Sequence, residues 1–180
     1  AYLKTNFPHE FMTATLNFSI DRTDKIISLR QELEKLDIPF LEPDINFSEE
    51  KFSIEKNDSK KSIRFGLSAI KGVGAKSIKS VITVRKNEGK FKSVIEFLKR
   101  VENEVVNKRQ LEKLIQSGSF DSVEKNRSKL FYNVPQFVNL FGSNNNLSNQ
   151  NLLFEDEEIS FDDKNLFDQM LPVWSSGEKL

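Results

Sequence analysis

The run Leu67-Ser68-Ala69-Ile70-Lys71-Gly72-Val73-Gly74-Ala75-Lys76-Ser77-Ile78-Lys79-Ser80-Val81-Ile82 holds the residue types and spacing that can do chemistry in this sequence of 180 residues. Two glycines flank a valine, and apolar residues return at helical spacing after the second glycine. Gly72 and Gly74 allow the backbone angles of a tight turn and let an anion approach without meeting a Cβ. A helix that begins there turns its unbonded N–H groups and the positive end of its dipole toward that anion. Lys71, Lys76 and Lys79 add charge around the same point, and Arg64 stands a few residues upstream. The chemistry is phosphate binding through backbone amides, which recognises a nucleic-acid backbone and not its bases. The competing account of the same residues is a glycine turn between packed helices that binds nothing.

The pattern is the helix-hairpin-helix signature. A weaker copy is Arg109–Phe120, RQLEKLIQSGSF, with Gly118 in the turn and no second glycine. Its expected role is structural, pairing with the first hairpin. Other chemistries find little support. Without cysteine there is no thiolate nucleophile, disulfide framework or zinc-cysteine site. The one histidine, His9, follows Pro8 at a helix start and reads as a capping or surface residue. Glu155 to Glu158, Asp162 and Asp163 form a solvated acidic run without a scaffold for metal geometry. No complete active site emerges.

A formal charge of zero conceals an asymmetry. Residues 60–109 carry 14 basic and 4 acidic side chains, a net +10, whereas residues 1–59 sum to −5 and residues 131–180 to −6. Such a basic segment is an electrostatic footprint for a polyanion, the alternative being a well-solvated helical face. With 37% apolar and 30% charged residues and a mean hydropathy of −0.49, the chain fits one domain, or one domain plus a tail. No apolar run approaches the roughly 20 residues of a membrane span, and the start lacks a secretory signal core. An intracellular protein is the default expectation. Ala1-Tyr2-Leu3-Lys4 reads as a helix already in progress, as if cut from something longer. Sixteen Phe against 1 Trp and 2 Tyr, with abundant Lys, Asn and Ile, read as AT-rich coding and not as a binding signature.

The elements that must position the turn are mostly short helices. Pro8 fits the first turn of a helix carrying Phe11, Met12 and Leu16 on one face. Thr23 is the expected N-cap of a second helix, with Ile26, Ile27, Leu29, Leu33 and Leu36 as its apolar stripe. Pro39 and Pro43 stop further helix. Phe52-Ser53-Ile54 and Ile63-Arg64-Phe65 alternate around KNDSKKS, which predicts a small β-hairpin. LSAI, AKSIKSVITVR, VIEFLKRV after Ser93 and RQLEKLIQ after Asn107 each predict a short helix. Asn126 starts a further helix that Pro135 should end or kink. Beyond Phe141, GSNNNLSNQ is linker material and EDEEISFDD an acidic run. The fold class is therefore mainly α: an array of short helices with a tandem helix-hairpin-helix and one β-hairpin, plus an irregular acidic C-terminal tail.

The succession of blocks resembles the alpha subunit of bacterial DNA polymerase III, the C-family replicative polymerases. AYLKTNFPHEFMTATLN resembles the end of that family's fingers region, and PFLEPDINFSEEKFSIE its Pro-Asp-Ile-Asn segment. IRFGLSAIKGVG is the most specific block, and NKRQLEKLIQSGSFDSV with Asn126-Arg127 and Leu171-Pro172-Val173-Trp174 also match. The resemblance is continuous from residue 1 to about 130 and patchy after it. Pro135 departs from the family, in which that helix is usually uninterrupted.

The resemblance implies three regions: a helical end of the fingers over 1–50, a hairpin and helix-hairpin-helix DNA-binding region over 51–141, and a flexible linker or tail over 142–180. Gln150, Leu153 and Phe154 then fit the family's sliding-clamp motif. Implied DNA-binding residues are Arg64, Lys71, Gly72, Val73, Gly74, Lys76 and Lys79. Implied partners are duplex DNA, the sliding clamp and other replisome subunits in the cytoplasm at the nucleoid, with no membrane. The palm carboxylates that hold catalytic Mg2+ belong to an upstream part of the family's chain, so this stretch should carry no cofactor and no polymerase activity of its own. Rival accounts are a helix-hairpin-helix of a DNA repair enzyme or error-prone polymerase relative, and a protein-interaction scaffold whose glycine turn is merely structural.

Overall fold

The computed structural model describes residues 2–57, 60–101 and 107–142. The short helix α1 (Tyr2–Asn6) leads into α2 (Pro8–Phe18), where Pro8 occupies the first turn as its sequence requires. Met12 and Leu16, one turn apart on α2, are fully buried. They meet Ile26, Leu29 and Leu33 of α3 (Thr23–Lys35) in a first core.

Two expectations for α3 need correction. Thr23 is its first helical residue, not its cap; Arg22 precedes it, with no side chain capping the free amides. The buried stripe is also narrower than predicted, because Ile27 is 53% and Leu36 38% exposed. A stripe spaced i, i+3, i+7 is the width that one neighbouring layer covers.

The predicted hairpin is present as β2 (Ser53–Asn57) and β3 (Lys60–Arg64), antiparallel with Ile54 opposite Ile63. A third strand joins it that no sequence pattern announces. β1 (Phe40–Leu41), squeezed between Pro39 and Pro43, pairs parallel with β3 in the order β1-β3-β2. The N–H groups of Ile63 and Phe65 donate to the carbonyls of Pro39 and Leu41, so the proline, lacking its own N–H, serves as an acceptor at the strand's edge. Phe40, Phe52 and Phe65 interlock, with ring centroids 5.0 to 6.1 Å apart. Phe65 packs against both this core and a second one beyond it.

The second core belongs to α4 (Ala75–Glu88), α5 (Val94–Arg100), α6 (Lys108–Gln116) and α7 (Arg127–Gly142). Ser93 and Asn107 cap α5 and α6 as their positions predict. The Ser93 hydroxyl accepts from Glu96 N–H, and the Asn107 amide oxygen from Gln110 N–H. Phe91, Phe97 and Phe120 stack edge to face at its centre, which accounts for a share of the phenylalanine excess as packing.

Of the two outcomes expected at Pro135, an end to the helix is corrected, for α7 runs through it to Gly142. The missing N–H and the ring clash cost about 3 kcal/mol. The ring faces solvent, while Leu130, Val134 and Phe137 are fully buried on the opposite face. Each contributes about 1.5–3 kcal/mol, enough to offset the proline. The mainly α architecture is as expected, with seven α-helices and one three-stranded sheet among the described residues. The tail beyond Gly142 lies outside them.

Candidate nucleic-acid interface

The glycine turn is held in place by the apolar residues that interrupt it. Leu67, Ile70, Val73 and Ile78 are all buried in the second core, so the backbone between them is pressed outward. Residues Leu67–Ala69 form only a single 3-10 turn, shorter than the helix LSAI predicts. The hairpin's first helix is thus reduced to one turn, with Gly66 extended where the chain departs from the sheet.

Gly72 has φ +90°, a conformation that glycine adopts freely and other residues only with strain. Val73 N–H closes the turn on Ile70 O at 3.1 Å, and Ile78 N–H reaches Gly74 O at 3.1 Å. The N–H groups of Gly72, Gly74, Ala75 and Lys76 have no acceptor among the described residues. No side chain caps α4, since its N-cap is Gly74. Gly72, Ala75 and Lys76 are exposed. This is an anion cradle in geometry: bare amides, no Cβ at two positions, and a positive helix end.

Lys71 and Lys76 stand exposed beside these amides, without an ion pair among the described residues. Lys79, 67% exposed, lies 3.8 Å from Glu50, too far for a tight pair. Lys71 also lines an open cleft with Arg22, Lys25 and Asp24 at the start of α3. Arg64 is placed differently. Its guanidinium makes two bonds to Glu55, 2.6 and 2.9 Å, and a third to Glu42 O. With a side chain only 15% exposed, it clasps β3 to β2.

The second turn has a similar backbone and a different content. Gly118 has φ +80°, and its N–H donates to Ile115 O. Arg127 fills the space in front of it, donating from Nε and Nη2 to Asp121 and from Nη1 to Gln116 O. A Cβ on Gly118 would fall 2.1 Å from Arg127 Nη2. Bonding to Asp121 raises the Arg127 pKa against its partial burial. The expected structural role of this weaker copy is what the geometry provides.

Two residues that hold α4 in place were not evident from the motifs. Arg85 is buried, donating from Nη1 to Ile45 O and Ser48 O and from Nη2 to Glu49. Burial lowers its pKa, opposed by the charges of Glu49 and Asp44. Its signal was available: Ile78, Val81, Ile82 and Arg85 share the i, i+3, i+4, i+7 stripe of α4, so an arginine there must enter the core. Asn46 exchanges two bonds of 2.8 Å with the backbone of Phe91, and Ile45 N–H reaches Ser119 O. The Pro43-Asp44-Ile45-Asn46 segment thereby ties the far end of α4 to the second turn.

A family model described as a helix-hairpin-helix motif matches residues 37–130, from the start of the sheet to the first turn of α7. The chain belongs to the helix-hairpin-helix family. Its whole length is 38% identical to a segment of DNA polymerase III subunit alpha from Neisseria meningitidis serogroup A. The same subunit of Borreliella burgdorferi is 38% identical over 86% of the chain, and that of Vibrio cholerae 35% identical over 76%. The chain spans only 12 to 15% of the length of these relatives. Among the described residues no helix is long and apolar enough to cross a membrane, and no group of three or more His, Cys, Asp or Glu could hold a metal ion.

Proposed function

We propose that this chain grips duplex DNA without regard to sequence and does so as a segment of a bacterial replicative DNA polymerase. The observation that carries this reading is the set of unbonded amides at Gly72, Gly74, Ala75 and Lys76, beside lysines that make no tight ion pair. A phosphate oxygen is the acceptor those amides lack, and the lysines supply the countercharge. Similarity to DNA polymerase III subunit alpha along the full chain supplies the setting. In that setting the parent would carry out DNA-templated DNA synthesis, with its catalytic carboxylates and Mg2+ in another part of the protein. This segment would hold the duplex behind the active site, in the cytoplasm at the nucleoid.

A second contact belongs to the same reading. Gln150, Leu153 and Phe154, which lie outside the described residues, form a short peptide that would bind the sliding clamp through two apolar side chains and one amide. Other replisome subunits would meet the remaining surface. A peptide of this size gives about micromolar affinity, near −8 kcal/mol, and joint engagement of clamp and DNA raises it through avidity.

The test is fluorescence anisotropy with a labelled duplex across a salt series. With roughly 3 or 4 phosphate contacts, log K falls against log salt with a slope near −3. Duplexes of unrelated sequence should bind alike. Equal affinity at low and high salt would remove the proposal. For the clamp, Gln150→Ala combined with Phe154→Ala should abolish the heat of binding in a calorimetric titration, and unchanged binding would move the motif elsewhere.

A further inference from the structure

Helix α6, part of the second and sealed hairpin, crosses directly over the first turn. Its residues at i and i+3 flank the two glycines. The Lys113 Cγ lies 3.5 Å from where a Gly72 Cβ would stand, and Gln110 Nε2 lies 3.4 Å from where a Gly74 Cβ would stand. The Cβ positions of both glycines therefore look toward α6 at ordinary van der Waals distance.

The Gln110 side chain is under unusual constraint. Its Oε1 is buried with no hydrogen-bond partner, and its Nε2 donates to nothing among the described residues. A glutamine amide normally satisfies such atoms, and a buried orphan oxygen asks for an explanation. The arrangement is intelligible if the amide is oriented for its nitrogen. With Oε1 turned inward, the two N–H donors of Nε2 stand next to Gly74, whose own N–H and that of Ala75 lack an acceptor among the described residues. Asn107 fixes the backbone beneath it by accepting from Gln110 N–H at 3.0 Å.

We propose that Gln110 donates from Nε2 to the same phosphate that the Gly72–Lys76 amides bind, so that the anion site is built jointly by both hairpins. The sealed hairpin then has a binding role of its own, exercised through α6 and not through its glycine turn. This rests on the reading that the first turn binds duplex DNA.

The experiment uses the full chain and a duplex scanned with single neutral methylphosphonate substitutions, read by anisotropy. Gln110→Met keeps the volume and removes the donors, and should weaken binding about tenfold, the worth of one hydrogen bond to a charged group. Gln110→Glu places a negative charge at the site and should weaken it about a hundredfold, because phosphate meets repulsion as well as a lost donor. At one phosphate the methylphosphonate should cost the wild type more than it costs Gln110→Met, the signature of a direct contact. Urea unfolding should show Gln110→Met as stable as the wild type or more so, since it eliminates a buried unbonded oxygen. Wild-type binding that is salt-sensitive and equalled by Gln110→Met would overturn the inference alone. Additive methylphosphonate and Met effects at every phosphate would do the same. A wild type that fails to bind any duplex would overturn the DNA reading with it.

Discussion

The turns at Gly72 and Gly118 begin from the same backbone device, a glycine with positive φ (+90° and +80°) joining one apolar helical segment to the next. The residues just beyond each glycine separate them. After Gly72 come a valine that dives into the core and a second glycine that caps α4 with nothing, so the amides stay open. After Gly118 comes Asp121, which draws Arg127 back across the turn and plugs it. A left-handed glycine therefore marks a tight bend and says nothing about a ligand. The occupant of the space in front of it, solvent or guanidinium, decides whether the bend is a site or a joint.

Substitutions that add a Cβ should separate the two turns most strongly. Gly118→Ala combines left-handed strain with a 2.1 Å clash against Arg127 and should cost about 3 kcal/mol in urea unfolding. Its folded fraction should keep the wild-type salt slope for DNA. Gly74→Ala reverses the pattern. Gly74 has an ordinary extended φ of −77°, and an added Cβ would meet Gln110 Nε2 and Ser77 Oγ at the ordinary contact distances of 3.4 and 3.6 Å, so stability should change by about 1 kcal/mol or less, while DNA affinity falls about tenfold. Equal stability losses at the two glycines would erase the distinction.

Charge should sharpen it on a smaller scale. Lys71→Gln and Lys76→Gln should each reduce the salt slope by about 1, with a several-fold loss of affinity. Lys4→Gln, which removes the Lys4–Glu32 pair on the far helices, should leave the slope alone. The smallest effect is expected between the turns, at Glu96. The Lys92 N–H, and then Arg100, hold its pKa below the usual carboxylate value. A depressed folded pKa gives stability that is present at neutral pH and lost as pH falls through that pKa. Glu96→Gln should therefore flatten the acid limb of the stability curve slightly without altering DNA binding at neutral pH.

Much of the candidate interface was legible in the sequence. Glycine spacing, flanking apolar residues and the +10 segment located the turn, and Ser93 and Asn107 located two caps, because each is a local rule with few exceptions. Arg64 shows where such reading stops. Its charge placed it with the DNA-binding residues, yet Glu55 lies opposite Ser62 across the hairpin, and that cross-strand neighbourhood takes its guanidinium. Pro135 shows the reverse. A local rule would end or kink the helix there, and the burial of Val134 and Phe137 keeps it going. β1 was invisible because two residues carry no periodicity, and only the exposed edge of β3 gives them a partner.

The sequence by itself determined that residues 72–74 bend, that a helix starts at once behind them, and that cations surround the bend, since all of these depend on neighbours within a few positions. Tertiary structure alone decided that this bend stays open while the other is plugged, and that Gln110 stands over Gly74 from more than thirty positions along the chain. Both outcomes depend on which distant side chain reaches a given space first. That is a matter of packing, and no local spacing rule encodes it.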